Sequence, residues 1–243
     1  MSTAVNWTPV KATTVITSTI VAYGAKLKSR DTLKGFHRRG GYHEGMIAAE
    51  DKQIYRTLKT PAKIQDYLDE RLEYNKQTTC YGPRLVVRHK RAHCMEGALF
   101  AASALRLLGH EPLIVDLAAV RDDDHVLAVF RKNGCWGAIA KSNYAGLRFR
   151  NPVYRTIREL AMSYFEHFYN SKGEKTMRGY SKPVNLSRFD GLNWMTSLEE
   201  MWDVPTYLCE VSHSPVLPSN GVVNHRYWMD KRLYEAGRVG IKE

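Results

Sequence analysis

Apolar residues recur at helical spacing in some stretches of the chain and run unbroken or alternate in others. A helix is predicted from Thr60, with Pro61 in the first helical position, where its missing N–H costs nothing. Ile64, Tyr67, Leu68 and Leu72 form its apolar face. The stretch "AHCMEGALFAASALRLLG" predicts a helix over 94–108 with Ala, Leu and Phe on most sides, and therefore a buried one. Gly109 follows where a helix-ending glycine belongs. Three strands come next, at 111–120, 125–131 and 135–141, separated by "RDDD" and by the hairpin turn "KNG". Connections this tight make the sheet antiparallel.

The pattern is weaker elsewhere. Residues 1–45 read as irregular, with glycines at 35, 40, 41 and 45 in "RDTLKGFHRRGGYHEG". "PRLVVRHKRAHC" reads as a strand or loop running into the 94–108 helix. Another helix is expected from Asn151 to about Tyr169, capped by Asn151, opened by Pro152 and buried along Val153, Ile157, Leu160, Tyr164 and Phe168. "KPVNLSRF" and "TYLCEV" have strand character, Ser197 and Glu200 have capping-box spacing for a short helix, and a last helix runs from near Asn224 to Gly237. No repeat or linker forces a boundary, so one α+β domain over 1–243 is expected.

Composition narrows the class. At 243 residues with 44% apolar residues the chain has ample material for a core. The net charge of +11 favours acidic ligands, nucleic acid or anionic surfaces, yet the basic residues are scattered and no helix carries a long basic stripe. The four cysteines, Cys80, Cys94, Cys135 and Cys209, include no CxxC pair, which excludes a four-cysteine zinc site. Free thiols in a reducing cytoplasm are the simplest expectation. "VITSTIVAY" is too short and too rich in Ser and Thr for export or a membrane span.

Cys94 stands where a helix N-terminus favours a thiolate and where its N–H groups would hold an oxyanion. Such a nucleophile needs a base. His125 opens a strand after three aspartates, Asp122, Asp123 and Asp124, which favour an imidazolium. If the "KNG" turn pairs strands 125–131 and 135–141, the end "AKSNY" of the second strand arrives beside His125. Ser142 or Asn143 then orients the ring.

Cys94 at the head of an alanine-rich helix ending in "LLGHEP", then a strand, then "DH" opening a strand, then a strand with Trp136, resembles the transglutaminase-like superfamily. The resemblance covers about residues 80–145, with 1–79 and 146–243 as additions to that core. It implies a papain-like fold, the Cys94 helix packed on an antiparallel sheet, and a Cys–His–Asp triad with Cys94 as nucleophile and His125 as base. It also implies acyl transfer at an amide or ester through a thioester, as in the peptidase or amidase members of the group, without cofactor. The third position departs from the family: "KSNY" stands in place of Asp, so Asn143, or alternatively Ser142, completes the triad. A peptide, a protein or a small amide or ester is the implied substrate. The alternative is an inactive relative whose basic surface holds an acidic partner or nucleic acid.

Other residues have a bland and a functional reading. His89 and His93 have i, i+4 spacing but sit in a non-helical stretch, so no metal is expected. Glu96 in the first helical turn complements the dipole. Gln77 is a candidate oxyanion donor. Arg148, Arg150, Arg155 and Arg158 either line a cleft for an acidic substrate or hold the protein's own acceptors.

Overall fold

A computed structural model describes residues 47–218 and 228–237. Pro61–Glu70 is helical as expected and follows a short helix at Lys52–Thr57; these are α2 and α1. The Thr60 hydroxyl accepts from Lys63 N at 3.2 Å and caps α2. Glu73–Tyr74 (β1) pairs in parallel with Arg91–Ala92 (β2). Between them "PRLVVRH" is not a strand or loop but the helix Pro83–His89 (α3), opened by Pro83 and closed by Lys90 at φ 52°. A left-handed residue terminates it before the chain can run on into the next helix. That helix, Cys94–Leu107 (α4), lies against the strand His125–Lys132 with α2 and α3 packed on it, and every residue from Met95 to Leu105 is buried. Its close fit is visible at Gly97, where a Cβ would come within 2.5 Å of Lys141 Cβ.

The main sheet begins with Leu113–Ala119 (β3), His125–Lys132 (β4) and Cys135–Ile139 (β5), all antiparallel as the turns require. Asn133 (φ 51°) and Gly134 (φ 81°) form a turn that only such residues enter easily. Arg150–Tyr154 (β6) adds an edge strand beside β5. This corrects the expected helix start: Asn151 and Pro152 lie in a strand, and Val153 is 65% exposed. Proline is tolerated there because an edge strand leaves one side of its backbone unpaired. The helix starts later, at Ile157–Phe165 (α5), capped by the Thr156 hydroxyl. Leu160, Tyr164 and Phe168 are buried as expected.

The later part of the chain completes the same sheet. Met177–Ser181 (β7) and Val184–Asn185 (β8) both pair with β3, and His213–Pro215 (β9) pairs with β7, giving the order β6-β5-β4-β3-β7-β9. Four of the strands of this sheet, β6 to β9, thus come from residues after 145. Only Val184 and Asn185 of "KPVNLSRF" are a strand; a 3₁₀ helix, Leu186–Leu192, follows. "TYLCEV" is not a strand, because Asp203–Leu208 is helical (α6), and Ser197 makes a local turn to Glu199 N rather than a helix cap. The last described helix is Lys231–Gly237 (α7); the start expected near Asn224 lies outside the described residues, as does the 1–45 stretch.

The sheet divides two cores. Ile114, Val126, Ala128, Phe130 and Ile139 face α2, α3, α4 and α6. Val115, Leu117, Leu127, Val129 and Ala138 face α5. The architecture is thus mixed helix and antiparallel sheet. Burial on both faces explains why β3 and β4 read as apolar runs rather than as alternations.

Candidate functional site

Cys94 is the first residue of α4, and a buried carboxylate braces the approach to it. Glu96, fully buried, accepts from His93 N at 3.0 Å, Tyr81 N at 3.0 Å, the Thr79 hydroxyl at 2.6 Å and Asn75 Nδ2 at 3.0 Å. Its expected structural role is therefore concrete: one side chain ties the loop before α3 to the head of α4. His93 precedes Cys94 with its Nε2 2.8 Å from Thr79 O. Gln77 is exposed, and its main-chain N–H donates to Asn75 Oδ1.

The Cys94 thiol donates to Asp124 O at 3.6 Å, against the first residues of β4. Burial pushes it up to about 12, and the charges of Asp123 and Asp116 add to that. The amide N–H groups of Val126 and Met95 act the other way, favouring the thiolate.

His125 does not join it. Successive residues of a strand point to opposite faces, and β4 gives Val126 to the α4 side and His125 to the α5 side. The His125 ring lies 6.4 Å from the Tyr164 ring and 6.2 Å from the Phe168 ring, centre to centre. Its Nε2 is 2.8 Å from Leu147 O, which can only accept, so that nitrogen carries the hydrogen. Burial lowers the imidazole to about 4. The ring is a neutral core group in this arrangement, and the acidic turn before it does not make it an imidazolium.

Nor do Ser142 and Asn143 hold it. The β4–β5 register pairs Ala128 with Ile139, and its continuation would set Ser142 opposite His125. The strand ends at Ile139 instead. Gln65 of α2 takes both main-chain groups of Ala140, at 2.9 and 3.0 Å, and Lys141 Nζ donates to Leu68 O and Leu72 O at 2.6 and 2.7 Å. These bonds draw the chain toward α2. Ser142 Oγ then accepts from Tyr144 N, Ser142 O accepts from Arg148 Nε, and Asn143 is half-buried with no hydrogen bond to His125.

Among the described residues of the sheet, the imidazole that meets a carboxylate on the α4 face is His213, which sequence reasoning passed over. His213 Nε2 is 2.9 Å from Asp116 Oδ2. Burial works against the His213 charge, but the bond to Asp116 and that carboxylate's charge outweigh it and raise the group above its ordinary value. Asp124 accepts from Ala119 N at 2.7 Å, and burial together with the Asp116 charge pushes it well above the usual carboxylate range. The Cys209 thiol, at the end of α6, is raised by burial and by the same two carboxylates. One signal in the sequence pointed here: Asp116 interrupts the otherwise apolar "LIVDLAA".

Within the arginine cluster Arg148 and Arg150 bind the protein itself. Arg150 donates to the carbonyls of Gly146, Phe149 and Ser163 and to Ser163 Oγ, and lies 4.0 Å over the Tyr164 ring. Arg148 Nε is 3.7 Å from Asp69, while Arg155 and Arg158 are exposed. His89 stacks on Tyr81, ring centres 4.7 Å apart, away from His93 on another element. Among the described residues no three His, Cys, Asp or Glu side chains are arranged to hold a metal ion, and no helix is long and apolar enough to cross a membrane. No family model matches the chain, and no curated protein matches it.

Proposed function

We propose that the chain is a thiol-dependent acyl-transfer enzyme, a hydrolase of amide or ester bonds in a peptide, a protein or a small molecule, with Cys94 as nucleophile. One observation carries this reading: Cys94 opens a buried helix with its sulfur set against the start of β4, 3.6 Å from Asp124 O, where the main-chain N–H groups of Met95 and Val126 favour the thiolate. Donors placed so favour a thiolate and then the oxyanion of a tetrahedral intermediate. In the reaction the sulfur attacks the carbonyl carbon, the leaving group departs with a proton, and water releases the acyl group from the thioester. His125 belongs to the support of β4 in this scheme. The transglutaminase-like resemblance and its papain-like core stay part of the proposal. All four cysteines are unpaired, which suits a reducing compartment such as the cytoplasm.

The test is a screen of amides and esters with wild type and Cys94→Ala, alongside iodoacetamide labelling of each cysteine between about pH 5 and pH 9. Hydrolysis that disappears in Cys94→Ala and is blocked by labelling at Cys94 is the expected result. Hydrolysis unchanged in Cys94→Ala, or an inert Cys94 with no turnover, overturns it.

A second reading has its own support. The separation of His125 from Cys94, with the thiol pushed up to about 12, fits a binding protein on a scaffold without chemistry, its basic surface holding an acidic partner or nucleic acid. Retention on heparin past physiological salt, with no turnover, is the outcome it expects; early release counts against it.

A further inference from the structure

We propose that the Asp116–His213 pair, and not His125, sets the charge state of the Cys94 thiol. The inference rests on the reading of Cys94 as nucleophile and names the group that controls it.

The sheet register carries the argument. Asp116 pairs with Val126 across β3 and β4. Leu117 pairs with Tyr180, which sets Ser181 beside Asp116, and the Ser181 hydroxyl accepts from Asp116 N at 2.9 Å. Ser181 pairs with His213 across β7 and β9. Residues directly opposite each other share a face, so Val126, Asp116, Ser181 and His213 form one row. Val126 belongs to the α4 core, and the Cys94 sulfur lies against the strand just before it, 3.6 Å from Asp124 O. The row therefore begins under the thiol and ends at His213.

Asp116 sits inside this row in an unusual state. Its side chain is 6% exposed. One oxygen, Oδ2, is bonded to His213, while Oδ1 is buried with no hydrogen-bond partner. A buried carboxylate with a bare oxygen projects its charge through a poorly screened interior and opposes a second anion nearby. The imidazole at its other oxygen offsets that charge when it carries a proton.

The remaining ionisable groups around the thiol do not supply a cation. Asp123 and Asp124 come from the β3–β4 turn, Tyr74 from β1, Glu96 from α4 itself, and Cys209 and Glu210 from the end of α6. His93, next in sequence, turns its Nε2 to Thr79 O and to Glu96. Among these described residues His213 is the imidazole bonded to the carboxylate of the row that starts at the sulfur, and in its protonated form it brings a positive charge there. The thiol releases its proton to solvent and the pair takes up none. His213 and Asp116 are thus positioning residues that act by charge, in opposite directions.

The experiment is the alkylation rate of Cys94 by iodoacetamide across pH 5 to 9, read by mass spectrometry on the whole protein, with Cys94 followed separately from the other thiols. Near pH 7, His213→Gln is expected to slow Cys94 by about tenfold, the effect of one pKa unit, and Asp116→Asn to speed it by about as much. His125→Gln is expected to stay within about twofold of wild type, less than a third of a pKa unit. Buried Cys80 reports folding, since its alkylation marks an opened protein. If His213→Gln opens the protein, His213→Lys keeps a cation and is expected to retain Cys94 reactivity. Asp116→Asn and His213→Gln moving the rate in the same direction overturns the inference, as does a His125→Gln effect as large as theirs. A reactive Cys94 indifferent to both residues overturns this inference alone. A Cys94 inert in every variant overturns the nucleophile reading and this inference with it.

Discussion

Cys94 and His125 stand on opposite faces of one sheet, although the Cys94 sulfur touches the main chain of Asp124, the residue just before His125. One residue of strand register separates a neighbour from a stranger: Val126 faces α4 and His125 faces α5. A Cys–His pair needs both side chains on one side. In this arrangement the thiol meets the carbonyl of Asp124, and the His125 imidazole meets Leu147 O and two aromatic rings.

His125 makes the protein sensitive to acid. The imidazole is held neutral, at about 4 when folded against 6.5 as its ordinary value. Between those values the unfolded chain binds the proton and the folded one does not, so stability is fully present above about pH 6.5 and falls as pH drops toward 4. The expected loss from pH 7 to pH 4.5 attributable to this residue is about 2–3 kcal/mol. Urea unfolding at the two pH values, compared between wild type and His125→Gln, measures it; an equal pH dependence in both proteins rejects the buried neutral ring.

Glu96 is the keystone of the loop before α3. Glu96→Ala leaves donors of Asn75, Thr79, Tyr81 and His93 without their acceptor in a buried place. The expected cost is about 3–5 kcal/mol, that of breaking a buried hydrogen-bonded charge. Glu96→Gln, which keeps an acceptor oxygen, should cost less than half as much. Thermal melts of the two variants check the order.

Gly97 tests packing against propensity. Alanine is favoured over glycine in a helix by about 1 kcal/mol. Here its Cβ would meet Lys141 Cβ at 2.5 Å. Lys141 cannot easily yield, since its Nζ is fastened to two carbonyls of the α2 region. Overpacking of this kind costs about 1–3 kcal/mol, so Gly97→Ala is expected to destabilise. A raised melting temperature would reject that contact.

Arg150 and Arg155 separate structure from surface. Arg150→Lys loses a planar fork spread over three carbonyls and a hydroxyl and stacked on Tyr164, at an expected cost of about 1–3 kcal/mol. Arg155→Lys, on an exposed side chain, should stay within about 0.5 kcal/mol. Chemical unfolding of the pair decides whether these arginines act on the fold or are free for a ligand.

Local signals in the sequence were strong where neighbours along the chain do the work. Pro61 after Thr60 started a helix, Gly109 ended one, and "KNG" closed a hairpin, because caps and turns are chosen by a few adjacent residues. The same signals misled at "NPVYR", where an Asn-Pro start suits a helix but pairing with β5 makes an edge strand. They also misled at "TYLCEV", where Tyr207 and Leu208 lie in a helix and pack on the α4 core.

The site was legible only in part. Cys94 at a helix head follows from the sequence alone, because the cap and the apolar run are both local. Which imidazole shares its face does not, since period-two alternation tells which residues share a face but not which face meets α4. That choice belongs to the packing of α4 on one side of β4 and α5 on the other. The partnership of Asp116 and His213 spans 97 residues and two strand pairings, and forms because β7 and β9 return to the sheet beside β3. Short-range chemistry was written along the chain; the meeting of charges was decided by which faces the two cores bury.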